Sequence, residues 1–470
     1  MEKLFKLKEH GTNIRTEIIA GITTFLTMAY IIFLNPTIIG KATTGMADTA
    51  VITATCIASA LGTWLIGWLS GYPMAQAPGL GLNAVFAYTL CGQFGLSAPA
   101  ALGAVFISGV LFILLTVTGA RKAIVEAIPL SLKKAITAGI GLFIALIGFS
   151  KTGLVIHPES DATVTDLTSF TMPVPNGPKG AMMINPTTIL AIVGLIIITI
   201  LLVRQVKAGI FIGMAVTAVI ANIIQFTTDA FGNKIDMGIK LPESWAPNLD
   251  FSMFGKCFTG MGELFSSHFM AIAAVLVTLL LVDMFDTIGT LIGAADKAGY
   301  LDENGNLPKI ERAMLADAIA TSAGAVFGTS TVTTYVESTS GIAAGGRTGL
   351  TSTVTGLCFA IAMFFTPIVN FVPTAATAPV LIIVGILMAA SLKDIEWDNI
   401  ELAVPAFFTV VGMPFFYSIT DGIAFGFISY VVVLLAKGKA KKIHPLMYVI
   451  VALFLLMYVI TALQSLGIIK

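Results

Sequence analysis

The sequence predicts an all-α, polytopic membrane protein, and three observations carry that prediction. Only 11% of the 470 residues are charged, as 26 Lys+Arg and 26 Asp+Glu, against about 25% in a soluble domain. Hydrophobic residues make up 56% of the chain, and the mean hydropathy is +0.93. Apolar stretches recur from Ile18 to the C-terminus, each long enough to cross about 30 Å of hydrocarbon. This composition excludes a water-soluble enzyme. A formal net charge of zero without a basic block argues against nucleic acid as a partner. The four cysteines, Cys56, Cys91, Cys257 and Cys358, are scattered without a CxxC pair, so they read as packing residues rather than as a zinc site or disulfide framework.

The basic, amphipathic start MEKLFKLKEHGTNIRTE runs into apolar sequence without an A-x-A cleavage site, and therefore reads as a retained first helix rather than a signal peptide. Candidate spans follow as Glu17 to Ile39, Ala50 to Leu69, Met74 to Cys91, Ala98 to Thr118, Leu132 to Lys151, Pro186 to Val203 and Ala208 to Phe226. The second half offers Phe269 to Gly293, Arg312 to Gly328, Thr331 to Gly345, Leu350 to Phe371, Ala375 to Leu392, Leu402 to Tyr417 and Asp421 to Ala436. That is about fourteen crossings by apolar length. Lys3, Lys6, Lys8 and Arg15 precede span one; Arg121, Lys122, Lys133 and Lys134 follow span four; Arg204 and Lys207 follow span six; Lys437, Lys439, Lys441 and Lys442 follow span fourteen. Cationic loops stay on the cytoplasmic side, which places the N-terminus there. A last apolar run, Leu446 to Leu466, either crosses or lies against the bundle.

The two halves resemble each other. Thr55-Cys-Ile-Ala-Ser-Ala-Leu-Gly62 in span two matches Asp317-Ala-Ile-Ala-Thr-Ser-Ala-Gly324 in span nine, and Gly209-Ile-Phe-Ile-Gly213 in span seven matches Gly422-Ile-Ala-Phe-Gly426 in span fourteen. A repeat of seven spans is odd, so the second copy is inverted relative to the first. Inverted repeats are the architecture of secondary transporters, with the substrate near the midplane where helices break.

Two such breaks occur at matching places. Span three reads Tyr72-Pro-Met-Ala-Gln-Ala-Pro78-Gly79-Leu-Gly81-Leu-Asn83; its prolines and glycines predict a short extended piece before a half-helix beginning near Pro78. Span ten reads Gly328-Thr-Ser-Thr-Val-Thr-Thr-Tyr335-Val-Glu337, a β-branched run that predicts a short strand before a half-helix ending at Gly345-Gly346. Unpaired backbone is too costly in lipid, so the two strands should pair with each other, and the half-helix N-termini should direct their positive ends at a common site.

Span eight carries Leu281-Val-Asp283-Met-Phe-Asp286-Thr-Ile-Gly289, which sets two carboxylates three residues apart on one helical face, with Cβ atoms about 5 to 6 Å apart. Glu337 joins them from span ten. An anion at this depth costs several kcal/mol, and neither span supplies a Lys or Arg. The natural solutions are a transported proton, a bound cation, or a polar substrate whose N–H groups the carboxylates accept. The alternative reading of Glu337 is a helix cap alone.

The strings NIRTEIIAGITTFLTMAYIIFLNP, APGLGLNAVFAY, VDMFDTIGTL and TTYVESTSGIAAGGRTGL are similar to those of the AzgA-like purine nucleobase permeases, a branch of the nucleobase:cation symporters with the uracil-permease fold, and the resemblance covers nearly the whole chain. It implies two inverted seven-span repeats. A core domain, residues 1–130 and 268–372 (spans one to four and eight to eleven), would move like an elevator against a gate domain, residues 131–267 and 373–470 (spans five to seven, and twelve to fourteen with the last apolar run). It implies proton-coupled symport of hypoxanthine, guanine or adenine into the cell, with no cofactor beyond the coupling ion. The expected setting is the cell membrane, with lipid around the protein and a homodimer as an admissible assembly. By the same resemblance Asn83, Asp283 and Glu337 contact the base, Gly81 lies in the same binding string, and Asp286 serves translocation, with Glu337 also a candidate for proton coupling. Val85 departs from the pattern, which has an aromatic there.

The chemistry of a purine suits these residues. Carboxylates accept its ring N–H groups, while Asn83 and half-helix amides donate to a carbonyl oxygen. Phe86, Phe285 and Tyr335 are within the motifs and could stack on a base, but aromatics in apolar helices mostly serve packing. Gly79-Leu-Gly81 lacks the βαβ setting and third glycine of a dinucleotide loop. His10, His157, His268 and His444 form no metal-binding pair, no nucleophile–base pair for a membrane enzyme is visible, and Asp317 in span nine reads as structural.

Overall fold

The computed structural model describes residues 5–119, 124, 127–155, 171–173, 182–230, 235–239, 245–267, 269–302 and 307–465. Lys3, Arg121, Lys122, His157, His268 and Leu466, singled out above, lie outside the described residues. Among the described residues, 10 helices are long and apolar enough to cross a membrane. These coincide with predicted spans one, two, four to eight, eleven, twelve and fourteen. The other four fall short for visible reasons: spans three and ten are broken, span nine (Ile310–Phe327) is diluted by Asp, Thr and Ser, and span thirteen (Ile400–Phe415) has 16 residues. The fold is thus an all-α, multi-pass membrane protein with few strands.

Local sequence sets the helix ends. Ser97 accepts from the Ala100 amide to start span four at Ala98, and Asn185 accepts from the Thr187 and Thr188 amides to start span six at Pro186; both use an oxygen side chain to satisfy orphan donors, with proline in the first turn where no amide is needed. Span one is divided, into Ile14–Met28, Tyr30–Ile39 and Lys41–Thr44. Its first turn is tied to span eleven by Glu17, whose buried carboxylate accepts from the Arg347 amide (2.9 Å), the Thr348 hydroxyl (3.0 Å), and the Thr351 amide (3.1 Å) and hydroxyl (2.6 Å).

The packing repeats itself under exchange of the halves. Span two packs on eleven as nine packs on four; one packs on eleven as eight packs on four; five packs on thirteen as twelve packs on six; and six packs on seven as thirteen packs on fourteen. Spans two and nine meet each other, as do five and twelve. The weak sequence matches therefore mark a real twofold, inverted repeat.

Three elements were not foreseen. An amphipathic helix, Lys256–Ser267, packs on span four; its charge and length hide it from a search for apolar spans. Beyond the half-helix of span three, Val85–Gln93 winds as a π-helix. A strand pair joins β2 (Thr171–Pro173) to β3 (Met182–Ile184). The last apolar run forms a helix, Pro445–Ser465, against spans eight and fourteen, where the Tyr458 hydroxyl donates to Asp421 Oδ1 at 2.8 Å.

Candidate functional site

The two broken spans meet as predicted. β1 (Gln76–Pro78) pairs antiparallel with β4 (Val332–Thr334), in the register Gln76 with Thr334, Ala77 with Thr333 and Pro78 with Val332. The pairing extends at both ends, since the Gly79 amide donates to Thr331 O and the Tyr335 amide to Ala75 O, each at 3.0 Å. The outer edges of so short a ribbon need other partners. Thr63 of span two exchanges hydrogen bonds with the amide and carbonyl of Gln76, and the Thr321 hydroxyl of span nine donates to Val332 O at 2.9 Å. Threonines of the matching spans two and nine thus replace missing strands.

Proximity explains the glycines. A Cβ on Gly79 would stand 2.5 Å from Thr333 Cγ2, and one on Gly81 would stand 2.6 Å from Ile140 Cγ2 of span five. Gly81 is therefore where the half-helix Leu80–Ala84 rests on the Leu130–Lys151 helix. The half-helix starts two residues after Pro78, because Pro78 is held in the strand.

On the span-ten side the half-helix is Ser338–Ala343, with Glu337 at its N-cap. Glu337 makes no side-chain cap bond there. Its Oε1 instead accepts from the Tyr30 hydroxyl of span one at 2.6 Å. Asp286 and Glu337 are both half-buried, and Glu337 is close enough to act electrostatically on Asp286, Tyr30 and Tyr335. The structure thus gathers Tyr30, Asp286, Tyr335 and Glu337 beside β4. Tyr335 does not swing freely, since its hydroxyl donates to Pro78 O at 2.5 Å.

The other predicted residues sit deeper. Asn83 has no exposed surface; its Oδ1 accepts from the Ser330 hydroxyl, while its Nδ2 has no hydrogen-bond partner among the described residues. Asp283 is 1% exposed, and its Oδ2 lies 3.4 Å from the Thr321 hydroxyl. The two acids of span eight share a face as the spacing predicts, but Asp286 opens onto the cluster and Asp283 faces span nine. Val85 and Phe86 are fully buried in the hydrophobic core, and Phe285 lies beneath Lys133 of span five, 5.8 Å from its Nζ.

Sequence reasoning missed Tyr30, Ser330 and Thr333. A lone tyrosine in an apolar span carries no signal, and the threonine run signalled only β propensity. Asp317, read from the sequence as structural, is buried and hydrogen-bonded to Gln76 and Thr287. Among the described residues no group of three or more His, Cys, Asp or Glu could hold a metal ion.

An inverted repeat with two paired breaks and acids beside them defines a membrane transport protein, whose job is passage rather than catalysis. Comparison makes the class specific: the chain belongs to the Permease family (Xan_ur_permease), whose model matches residues 15–420. It is 43% identical to the guanine/hypoxanthine permease PbuG of Bacillus subtilis (strain 168) over 98% of this chain and 99% of that one. It is 39% identical to the adenine permease AdeP of Escherichia coli (strain K12), covering 97% and 95%. In fold it is similar to the transmembrane domain of a cyanobacterium bicarbonate transporter, BicA, with a TM-score of 0.61 at 15% identity, covering 90% of this chain and 97% of that one.

Proposed function

We propose that this chain imports purine nucleobases (hypoxanthine, guanine or adenine) in symport with protons. The observation that carries this reading is the pair of half-buried carboxylates, Asp286 and Glu337, that share one cluster beside the paired breaks. They accept N–H groups, which purine rings offer and phosphates do not. The amide nitrogen of Asn83 is buried with no partner among the described residues, and such a donor favours a ligand carbonyl or ring nitrogen because leaving it unmade costs about 1 to 3 kcal/mol. The names of the guanine/hypoxanthine and adenine permease relatives support the same substrate class.

The movement we infer is that of spans one to four and eight to eleven as a core against spans five to seven and twelve to fourteen as a gate, with the N-terminus cytoplasmic and the protein in the cell membrane. The strongest span-to-span pairings lie within these two groups, while the amphipathic helix Lys256–Ser267 packs on span four of the core, and Gly81 and Ile140 are a point of close contact between the groups. In the cycle, Asn83, Asp283 and Glu337 hold the base, while Asp286, beside Glu337, takes an N–H of the same base and carries the proton or the step that follows binding.

The test is uptake of radiolabelled hypoxanthine into proteoliposomes, competed by purines and pyrimidines, with and without an inward proton gradient. Competition by guanine or adenine and accumulation that collapses with the gradient support the reading. Preferential competition by uracil or xanthine would move the substrate to another nucleobase, and uptake of nucleosides at rates like hypoxanthine would overturn the site chemistry.

A further inference from the structure

Asp317 is a buried carboxylate that the transport reading leaves unused. It has no exposed surface. Its Oδ1 accepts from Gln76 Nε2 at 2.8 Å and from Thr334 Oγ1 at 3.4 Å, and its Oδ2 accepts from Thr287 Oγ1 at 2.9 Å. Thr287 Oγ1 is also 2.9 Å from Thr333 Oγ1, which lies 3.4 Å from Asp286 Oδ2. A continuous row of oxygens therefore joins Asp286, at the half-buried cluster, to Asp317 inside span nine, by way of one threonine of span eight and one of β4.

The row has a proton deficit. It contains three oxygen-to-oxygen links, each of which needs one hydrogen, and a threonine hydroxyl has only one to give. The hydroxyls of Thr287 and Thr333 supply two. With both carboxylates ionised, one link would set oxygen against oxygen with nothing between them; with one carboxyl protonated, every link is made. We propose that Asp286 and Asp317 hold a single proton between them, and that it crosses through the hydroxyls of Thr333 and Thr287 when substrate arrives and leaves.

The passage balances. An N–H of the base becomes the donor to Asp286; the Asp286 O–H bond breaks and its proton joins Thr333 Oγ1. The proton already on Thr333 passes to Thr287, and that of Thr287 passes to Asp317 Oδ2. Three O–H bonds break and three form, leaving Asp286 anionic under the base and Asp317 neutral, with no proton lost to water. Among the described side chains, the titratable groups on the elements around Asp317 are Asp283 and Asp286 of span eight, Glu311 and Arg312 at the start of span nine itself, and Tyr335 and Glu337 just past β4. Span two carries Cys56 and, at its first turn, Asp48; span four carries none. The amphipathic helix, with Lys256, Cys257 and Glu263, meets span nine near Val326, where the Gly255 amide donates to Val326 O.

The inference rests on the purine and proton reading above, and the experiment separates the two. Hypoxanthine binding is measured by calorimetry in two buffers of different ionisation enthalpy, which counts protons exchanged with solvent. The unsubstituted protein should release none. Thr287→Val, which keeps the shape but interrupts the row, should release one or bind about tenfold more weakly as the pH falls, and Thr287→Ser should restore the unsubstituted behaviour. Proton release by the unsubstituted protein, or identical counts and pH profiles in Thr287→Val, would overturn the shared proton. Where Thr287→Val does not fold, Thr333→Val interrupts the row at the next oxygen and is read the same way; if neither folds, the count of the unsubstituted protein decides. Gradient-driven accumulation by the unsubstituted protein is measured separately. Its absence removes proton symport while leaving the count, and so the shared proton, intact.

Discussion

Two inward-facing carboxylates show opposite solutions to the same problem. Glu17, in the first turn of span one, has no exposed surface and accepts four hydrogen bonds from the start of span eleven. Glu337, at the break in span ten, is half-buried and among the described residues takes one side-chain donor, Tyr30. A carboxylate removed from water needs its lone pairs filled. Glu17 is filled by the protein and therefore fastens two helices; Glu337 keeps acceptor capacity and so can serve a ligand. Both are glutamates near helix starts, so the number of donors, rather than residue type or depth, separates structure from function.

The comparison can be broken at several points, beginning with the largest effect. Glu17→Ala should cost on the order of 3 kcal/mol in stability, because it leaves two amides and two hydroxyls without their shared acceptor. Thermal unfolding in detergent checks this, and an unchanged midpoint would mean that span eleven does not depend on the clamp. Glu337→Gln should leave the midpoint nearly unchanged while weakening hypoxanthine binding by about 2 kcal/mol, roughly thirtyfold in Kd. If instead it unfolds the protein like the Glu17 variant, the distinction between the two acids fails.

Gly79→Ala sharpens the comparison by testing the crossing itself. Its Cβ would meet Thr333 Cγ2 at 2.5 Å, and such overpacking costs about 1 to 2 kcal/mol. Adding Thr333→Ser, which removes that methyl, should recover most of the loss in a thermal-shift assay. Tyr30→Phe should weaken hypoxanthine binding by about 1 kcal/mol, roughly fivefold, since it deletes one hydrogen bond to Glu337; no change in calorimetry would place Tyr30 outside the site.

The smallest effect lies outside the spans. The Ser97 hydroxyl and amide, at 2.5 and 2.9 Å, hold the Glu263 carboxyl below its usual range. A lowered folded-state value means stabilisation that is complete above the unfolded-state value of about 4.3 and is lost as the pH falls through the lower folded value. Glu263→Gln should therefore flatten the acid side of the stability profile by well under about 1 kcal/mol, as expected of an exposed group.

Most of the scaffold was legible in the sequence because lipid imposes length and apolarity on each span separately. Span six was placed at Pro186–Val203 to the residue, since its proline, its Asn185 cap and its closing arginine are local signals. The two breaks were legible for the same reason: Pro78 and the threonine run state their preferences without reference to neighbours, and lipid leaves unpaired strands no partner but each other. The resemblance of whole motif strings added the family, and with it the candidate residues.

Tertiary structure decided how deeply each of those residues is buried and how many donors reach it. By spacing alone Asp283 and Asp286 are equivalent, two acids on one helical face, and only the family resemblance gave them separate roles; the position of span nine is what turns the first inward and leaves the second beside Glu337. Tyr30 is 307 residues from the Glu337 it holds, and no periodicity links them. Glu17 became structural because span eleven begins beneath it. Composition and spacing are properties of a segment, so the sequence by itself determined which segments cross the membrane and where they break. Donor counts and burial are properties of a fold, because they depend on which distant segments arrive at the same place.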